Sequence, residues 1–294
     1  MDGIFKWEGH TTWYDASGTT EEGKLPVLIL HGGPGATHDY LEDLAVLSRS
    51  GRQTILYDQI GCGKSEHLPG APASFWTTGL FKRELTGLLE HLGIDDAYTL
   101  LGQSWGGMLA MEHALDHPEG LKGMVVSNSL ASIPLWVEEA NRLRADLPPE
   151  VQDVLLRHEA AGTTDDPAYE AAVTVFYERH LCRRVPWPEC MVRAFALMDE
   201  DPTVYHTMNG PSEFHCIGTI KDWDITDRLH EIDVPTLLIS GEYDEATPRV
   251  VKAIDDRIPD SEWVLFEGAS HSTHLEEPEK YVAAVERFLD RIEA

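Results

Sequence analysis

Short apolar runs alternate with helical stripes through the first third of the chain. Residues 25–30 are almost continuously apolar, which is typical of a strand buried on both faces of a sheet. Leu41, Leu44 and Leu47 then follow at helical spacing, and residues 53–57 form a second apolar strand. This alternation predicts an α/β fold with a mostly parallel, twisted sheet that helices cover on both faces.

The same alternation continues to residue 127 and returns near the end of the chain. A helical stripe from Phe81 to Leu92 stops at Gly93, a residue type that commonly ends helices. The remaining predicted elements are strands within 4–15 and at 97–101, 123–127, 236–240 and 263–266, and helices that follow residue 107, Thr247-Pro248 and Pro278. Ligands bind at the carboxyl ends of the strands in such sheets, so we expect the functional residues there.

Residues 133–224 have a different pattern. Helical stretches at 134–145, 151–158, 169–180 and 190–198 follow one another with no buried strand between them. Prolines and Gly162 separate these stretches. We therefore predict a core domain made of residues 1–132 and 225–294, with a helical cap domain of residues 133–224 inserted into it.

A glycine-flanked serine stands between a predicted strand and a predicted helix. The segment reads Gly102-Gln103-Ser104-Trp105-Gly106, followed by Gly107. Glycines on both sides allow the sharp turn that exposes a serine hydroxyl above the sheet, and the N-terminus of the following helix stabilises developing negative charge. Ser104 is therefore the candidate nucleophile.

A serine hydroxyl needs a base and an acid that orients the base, and here both follow later strands. In elbow-type hydrolases they come in the order Ser, Asp or Glu, His. Asp244 and His271 each lie a few residues beyond a predicted strand, on the same sheet edge as Ser104. His274 is an alternative base, and Glu242 and Glu245 are alternative acids.

Two backbone N–H groups are candidates for an oxyanion hole. One belongs to Trp105, the residue after the nucleophile, and the other to Gly33 in the His31-Gly32-Gly33-Pro34-Gly35 loop that follows an earlier strand. A glycine- and proline-rich segment of this kind can also be no more than a tight turn.

Composition and charge exclude several classes of function. The 294 residues are 42% apolar, enough for a large core, and the formal net charge is −28. Such acidity argues against an anionic partner, so we expect neither nucleic acid nor a membrane as partner. The N-terminus lacks the pattern of a signal peptide, and the four cysteines are scattered, which favours free thiols in the cytoplasm. The oligomeric state stays open, and a monomer is compatible with the sequence.

The sequence offers weak metal or cofactor motifs only. Glu112-His113 and His117 place two histidines at helical spacing, but Ala114 stands where a metalloprotease has its glutamate. We predict that this segment lies on the solvated face of its helix. The segment from Gly61 to Ser65 lacks the upstream glycine of a phosphate loop. We expect no metal and no organic cofactor.

Several segments together resemble the proline iminopeptidases of the α/β-hydrolase superfamily, in the branch of the tricorn-interacting aminopeptidase factor and the bacterial L-amino-acid and prolinamide amidases. The segments are residues 31–35, 58–65, 102–107, 209–214 and 218–223. The resemblance implies the α/β-hydrolase fold and release of an N-terminal residue, often proline, from a short peptide or amino-acid amide with a free amino terminus. It implies that Glu213 and Glu245 bind the substrate ammonium and that Tyr205 lines the pocket.

Two positions depart from the pattern of that family. Ile60 and Gly107 stand where other members tend to have arginine and serine, which leaves room for N-terminal residues other than proline and for simple amides. One alternative is an amidase or general esterase that needs no free amine. An alternative of another class is a non-catalytic receptor that uses the same fold. A receptor would bind its ligand unaltered and would not need Ser104.

Overall fold

The sheet has eight strands, and the computed structural model that shows it describes residues 2–294. The strands are β1 (Asp2–Trp7), β2 (His10–Ser17), β3 (Val27–Leu30), β4 (Thr54–Tyr57), β5 (Tyr98–Gln103), β6 (Leu121–Ser127), β7 (Thr236–Gly241) and β8 (Ser261–Phe266). Their order is β1-β2-β4-β3-β5-β6-β7-β8. The pairs β1–β2 and β2–β4 are antiparallel, and β3 to β8 are mutually parallel, as the alternation of strands and helices predicts.

Helices cover both faces of this sheet and fill the long connection between β6 and β7. The α-helices are α1 (Thr78–Leu92), α2 (Trp105–Ala114), α3 (Ile133–Arg144), α4 (Pro149–Ala161), α5 (Pro167–His180), α6 (Glu189–Glu200), α7 (Thr203–Met208), α8 (Pro248–Asp255), α9 (Thr273–Glu276) and α10 (Pro278–Glu293). Three 3₁₀ helices span His38–Ser50, Ala73–Phe75 and Thr226–Glu231. Among residues 2–294 no helix combines the length and the apolarity that a membrane crossing needs.

The central strands are buried on both faces, which explains their continuous apolar runs. In β3, Leu28 and Leu30 belong to one hydrophobic cluster, whereas Val27 and Ile29 belong to a second cluster on the opposite face. Successive side chains of a strand point to opposite faces, so one short strand contributes to both layers of the core. Burial of each such side chain stabilises the fold by about 1.5–3 kcal/mol.

The helices α3 to α7 form a continuous stretch between β6 and β7. The chain leaves and re-enters the sheet region at one point, where Ser132 and Asp224 form an isolated β-bridge and the Ser132 hydroxyl donates to Asp224 Oδ2 over 2.7 Å. Elsewhere, Arg193 of α6 pairs with Asp39 (2.6 Å) and Glu42 (2.7 Å) in the first 3₁₀ helix. Ion pairs and packing thus hold the helical stretch against the sheet region.

The structure differs from the sequence prediction in several local elements. The leucine stripe at 41, 44 and 47 lies on a 3₁₀ helix, and the short helices α7 and α9 have no counterpart among the predicted elements. Thr247 precedes α8 as expected, but its hydroxyl donates to Glu139 Oε2 of α3 (2.8 Å) instead of capping the helix. A tertiary contact replaces the local cap in this case.

The turn between β5 and α2 depends on two glycines. A Cβ at Gly102 would collide with the backbone of Gly106, and a Cβ at Gly106 would collide with the backbone of Leu30 and His31. The first helical turn therefore lies directly on β3, and this close approach sets where Ser104 stands above the sheet.

We predict that Gly106→Ala lowers the free energy of unfolding by about 2–3 kcal/mol, because the added methyl group meets rigid backbone rather than a flexible side chain. Gly70→Ala is the matched control, since a Cβ there has no atom within 4 Å; its effect should stay within about 0.5 kcal/mol. Urea unfolding of the two variants measures the difference. Equal stability of both variants would contradict the close approach.

Candidate active site

Ser104 occupies a strained position at the end of β5. Its φ of 54° and ψ of −121° lie outside the regions that ordinary residues favour, and its side chain lies in a pocket although the residue is only 8% exposed. The Ser104 N–H donates to Ser127 O of the neighbouring strand over 2.9 Å, and the Ser129 hydroxyl donates to Ser104 O over 2.7 Å. Strained backbone of this kind characterises nucleophile elbows.

His271 and Asp244 are hydrogen bonded to each other in the loops that follow β8 and β7. His271 Nδ1 lies 2.7 Å from Asp244 Oδ1, and both side chains are buried. Burial lowers the pKa of His271, but the charge and hydrogen bond of Asp244 outweigh it, so that the net pKa is raised. Ser104 and His271 line the same pocket.

Asn128 supports this pair, and the sequence did not single it out. Its side-chain amide donates to Asp244 Oδ2 (2.7 Å), Thr273 Oγ1 (2.8 Å) and the Ser270 carbonyl (3.1 Å). Asn128 directly follows β6 and has a φ of 48°, which asparagine tolerates better than most residues. An asparagine right after a predicted parallel strand is the signal that could have identified it.

Two of the three alternative residues, His274 and Glu242, have other contacts. His274 Nε2 lies 3.0 Å from the backbone oxygen of Tyr40, and burial lowers the pKa of His274 to about 4. Glu242 is exposed and accepts the Gly268 N–H over 2.9 Å. His271 and Asp244, the base and the acid that the sequence predicts first, are therefore the two residues that hydrogen bond to each other.

A hydrogen-bond network holds the Gly33 loop against the elbow. Gln59 donates its side-chain amide to His31 O (2.9 Å) and accepts from Trp105 Nε1 (2.8 Å), so one side chain joins the loop to the first residue of α2. The Tyr40 hydroxyl accepts the Gly32 N–H (2.7 Å) and donates to Gln103 Oε1. Gly33 lines the pocket beside Ser104. The Trp105 N–H, at the first position of a helix, has no partner within that helix.

Two buried glutamates stand next to the His271–Asp244 pair. Glu245 is fully buried, its Oε1 lies 3.8 Å from His271 Nε2, and neither of its carboxylate oxygens has a hydrogen-bond donor. Glu213, which also lines the pocket, accepts a 2.7 Å hydrogen bond from the Tyr205 hydroxyl. Burial, then the charges of Glu213 and Asp244, raise the pKa of Glu245 well above its usual range.

The segment between β6 and β7 supplies one wall of the pocket and fixes the position of the acids. The His180 carbonyl at the end of α5 accepts the N–H groups of Glu245 (3.3 Å) and His271 (3.1 Å). The Tyr177 hydroxyl, one turn earlier, accepts the Glu213 N–H over 3.2 Å. The apolar side of α6 completes the wall with Met191, Ala194, Phe195 and Met198. Neither Tyr177 nor His180 was singled out in the sequence, since tyrosine and histidine at helical spacing look like ordinary core residues.

The prediction that the Glu112-His113 segment is solvated was wrong for His113. Its ring is buried, and His113 Nε2 lies 2.6 Å from the Tyr98 hydroxyl. Burial lowers its pKa to about 4. Within residues 2–294, no group of three or more histidine, cysteine or acidic side chains is arranged to hold a metal ion.

Comparison with known proteins places the chain in a family. The family model for the α/β-hydrolase fold matches residues 26–278. The chain is 41% identical to a proline iminopeptidase of Saccharolobus solfataricus over 90% of this chain and 85% of that protein. It is 39% identical to a proline iminopeptidase of Lactobacillus helveticus, with 99% and 98% covered.

Solved structures agree with these sequence matches. The crystal structure of VinJ superposes with a TM-score of 0.97 at 49% identity and covers 99% of both chains. The crystal structure of a proline iminopeptidase from Mycobacterium smegmatis gives a TM-score of 0.93 at 47% identity, with 100% of this chain and 99% of that chain covered. With an α/β-hydrolase sheet, a strained serine elbow and this degree of similarity over its whole length, the chain belongs to the proline iminopeptidase family of α/β-hydrolases.

Proposed function

We propose that this protein is a serine aminopeptidase that releases N-terminal residues, with proline favoured, from short peptides or amides that have a free amino terminus. The observation that carries the proposal is a pair of buried glutamates at the pocket that Ser104 and His271 line. Glu213 lines the same pocket, and Glu245 Oε1 lies 3.8 Å from His271 Nε2. Buried carboxyls without a cationic partner are costly, and a substrate ammonium would supply that partner.

In the first step Ser104 attacks the carbonyl carbon of the N-terminal residue. His271 Nε2 takes the hydroxyl proton, and the Asp244 carboxylate, 2.7 Å from His271 Nδ1, holds the ring in orientation and stabilises the imidazolium that forms. The N–H groups of Gly33 and Trp105 receive the oxyanion of the tetrahedral intermediate. Preorganised backbone donors suit this role because they need no rearrangement as the charge develops.

In the second step the intermediate collapses and the acyl-enzyme forms. His271 donates its proton to the nitrogen of the leaving group, and the carbon–nitrogen bond breaks. Water then enters, His271 removes a proton from it, and the resulting attack releases the free amino acid and restores Ser104. Each proton that His271 accepts is returned within the same half-reaction.

Recognition of the amino terminus selects the scissile bond. Glu213 and Glu245 bind the ammonium, and Tyr205 holds Glu213 in place through its 2.7 Å hydrogen bond. An ammonium fixed by two carboxyls allows only the first carbonyl of a peptide to reach Ser104, which is the geometry an aminopeptidase needs.

The proposal also covers the domain organisation, the cellular compartment and the class of substrate. We divide the chain into a hydrolase core of residues 1–132 and 225–294 and a helical cap of residues 133–224, which supplies Glu213 and Tyr205. All four cysteines are free thiols in the structure, which fits a reducing cytoplasm. The substrate is a short peptide or an amino-acid amide.

We predict that Glu245→Gln raises KM for proline p-nitroanilide by about 10- to 100-fold, since hydrogen bonds to charged groups contribute about 1.5–3 kcal/mol. Hydrolysis of p-nitrophenyl acetate, which has no amine, should change less than about threefold. Glu242→Gln is the control, because Glu242 is an exposed carboxyl three residues from Glu245. Equal losses on both substrates would count against the ammonium-binding role.

The same assay separates an aminopeptidase from its alternatives. Free-amine anilides of proline and alanine should be hydrolysed at least about 100-fold faster than N-acetylated proline anilide, which lacks the cation. Fast hydrolysis of the acetylated substrate would favour a general esterase or amidase. Binding without turnover would favour a receptor.

We predict that Ser104→Ala and His271→Ala each lower kcat by about 10⁴-fold or more, as removal of a nucleophile or its base does in other serine hydrolases. His274→Gln should keep kcat within about tenfold, because His274 contacts the Tyr40 backbone and not Asp244. Steady-state kinetics give the values, and circular dichroism verifies that each variant is folded. Loss of activity in His274→Gln but not in His271→Ala would reverse the assignment of the base.

A further inference from the structure

Three carboxyl groups are buried next to one another beside the pocket, and Glu213 is the one that lines it. Asp244 and Glu245 are adjacent in the loop after β7, and Glu213 faces Glu245 from the segment that follows α7. Asp244 is compensated by His271 and by two further donors, the Asn128 side-chain amide and the Ala246 N–H. Glu213 and Glu245 have fewer hydrogen-bond donors than Asp244, and in the described part of the chain no cation hydrogen bonds to either of them as His271 does to Asp244.

Hydrogen bonding distinguishes Glu213 from Glu245. Glu213 accepts from the Tyr205 hydroxyl, whereas both oxygens of Glu245 are buried without a donor. As two carboxylates these groups would repel each other in a site that excludes water. A proton on Glu245 turns this repulsion into a hydrogen bond from Glu245 to Glu213, which raises the pKa of Glu245 and lowers that of Glu213.

The other groups around the pair do not replace this proton. The titratable or charged side chains that face it are those of Tyr40, Tyr177, Tyr205, Cys216, Asp244 and His271. Burial raises the pKa values of the three tyrosines and of Cys216, so none of them ionises near neutral pH. Burial likewise raises the pKa of Glu213 and outweighs the charge of His271, which lowers it, so the net pKa of Glu213 is raised. The Asp244 charge disfavours ionisation of Glu245 further.

We propose that the free enzyme holds one proton between Glu213 and Glu245, on the Glu245 side, and that the substrate ammonium displaces this proton into solvent when it binds. The proposal rests on the ammonium-binding role of the two glutamates. It adds that recognition is an exchange of one cation for another.

The exchange balances in atoms and charge. Before binding, the pair carries one proton and one negative charge; after binding, it carries two negative charges beside one ammonium. The O–H bond of Glu245 breaks, the proton leaves to water, and N–H groups of the ligand donate to the freed oxygens. The buried site keeps the same net charge, which avoids the penalty of an uncompensated charge in a dry pocket.

Exchange of this kind has a defined pH dependence. The proton must leave before the ammonium can bind. As the pH increases, the affinity therefore rises about tenfold per unit up to the pH at which the pair releases its proton, and it falls again once the ligand amine, with a pKa of about 8, loses its own proton. Because Tyr205 stabilises the charge on Glu213, its removal makes the pair hold the proton more tightly. Tyr205→Phe should therefore move the inflection of the affinity profile to higher pH, whereas a purely structural role would weaken binding equally at every pH.

The test is calorimetric titration of the Ser104→Ala variant with prolinamide near pH 6, in two buffers with different enthalpies of ionisation. At this pH an α-amino group, with a pKa of about 8, already carries its own proton. We expect release of about one proton per bound ligand. In Ser104→Ala with Glu245→Gln the release should fall to near zero, because a lone carboxylate needs no shared proton.

A second double variant serves as the matched control. Glu84 is another fully buried carboxyl, whose pKa burial raises to about 8, and it binds Thr12 and the Ile60 N–H away from the pocket. Ser104→Ala with Glu84→Gln should still release about one proton.

The outcomes distinguish this inference from the proposed function. Binding of prolinamide without proton release would overturn the exchange and leave the ammonium site intact. Release that persists in the Glu245→Gln variant would assign the proton to His271 and also overturn the inference. Failure of prolinamide to bind at all would overturn the ammonium site itself, and the exchange with it.

Discussion

The burial of negative charge beside Ser104 and His271 is the constraint on which the candidate site depends. A chain with a net charge of −28 places Asp244, Glu245 and Glu213 together in its interior, where each uncompensated charge is unfavourable. Asp244 has His271 and Asn128 as partners, and Glu213 has Tyr205. Neither carboxylate oxygen of Glu245 has a hydrogen-bond donor, so among these three carboxyls its charge is the least compensated.

The segment between β6 and β7 creates this constraint and also stabilises it. Without α5 to α7 the glutamates would face water, and their charges would be of little consequence. The His180 carbonyl binds the backbone of both Glu245 and His271, so the end of α5 fixes the proposed amine site relative to the proposed base. Glu276 reinforces the junction, since its carboxylate accepts N–H groups from Arg183 and from Ser270. The proposed amine site and the proposed base are thereby joined through one hydrogen-bonded junction.

Sequence reasoning succeeded where a local pattern has one structural solution. Continuous apolar runs such as β3 and a glycine-flanked serine between strand and helix leave few alternatives. It failed where tertiary contacts override local preference. His113 was predicted to lie on the solvated face of its helix, yet the Tyr98 hydroxyl gives its ring a buried partner. Thr247 stands at the start of a predicted helix, where a threonine side chain commonly caps, yet its hydroxyl donates to Glu139 of a distant helix.

The sequence by itself determined the alternation of the sheet strands with their covering helices, the family, and the candidate residues Ser104, Asp244 and His271 at the ends of strands. These depend on periodicity and on the rule that parallel strands end on a common edge, both of which are readable along the chain. Only the tertiary structure decided that Glu245 is buried without a donor, that Glu213 faces it with Tyr205 attached, and that Asn128 and His180 hold the loops in place. Burial and pairing depend on what the rest of the fold brings near a side chain, and residues far apart in the sequence carry no local signal of that proximity.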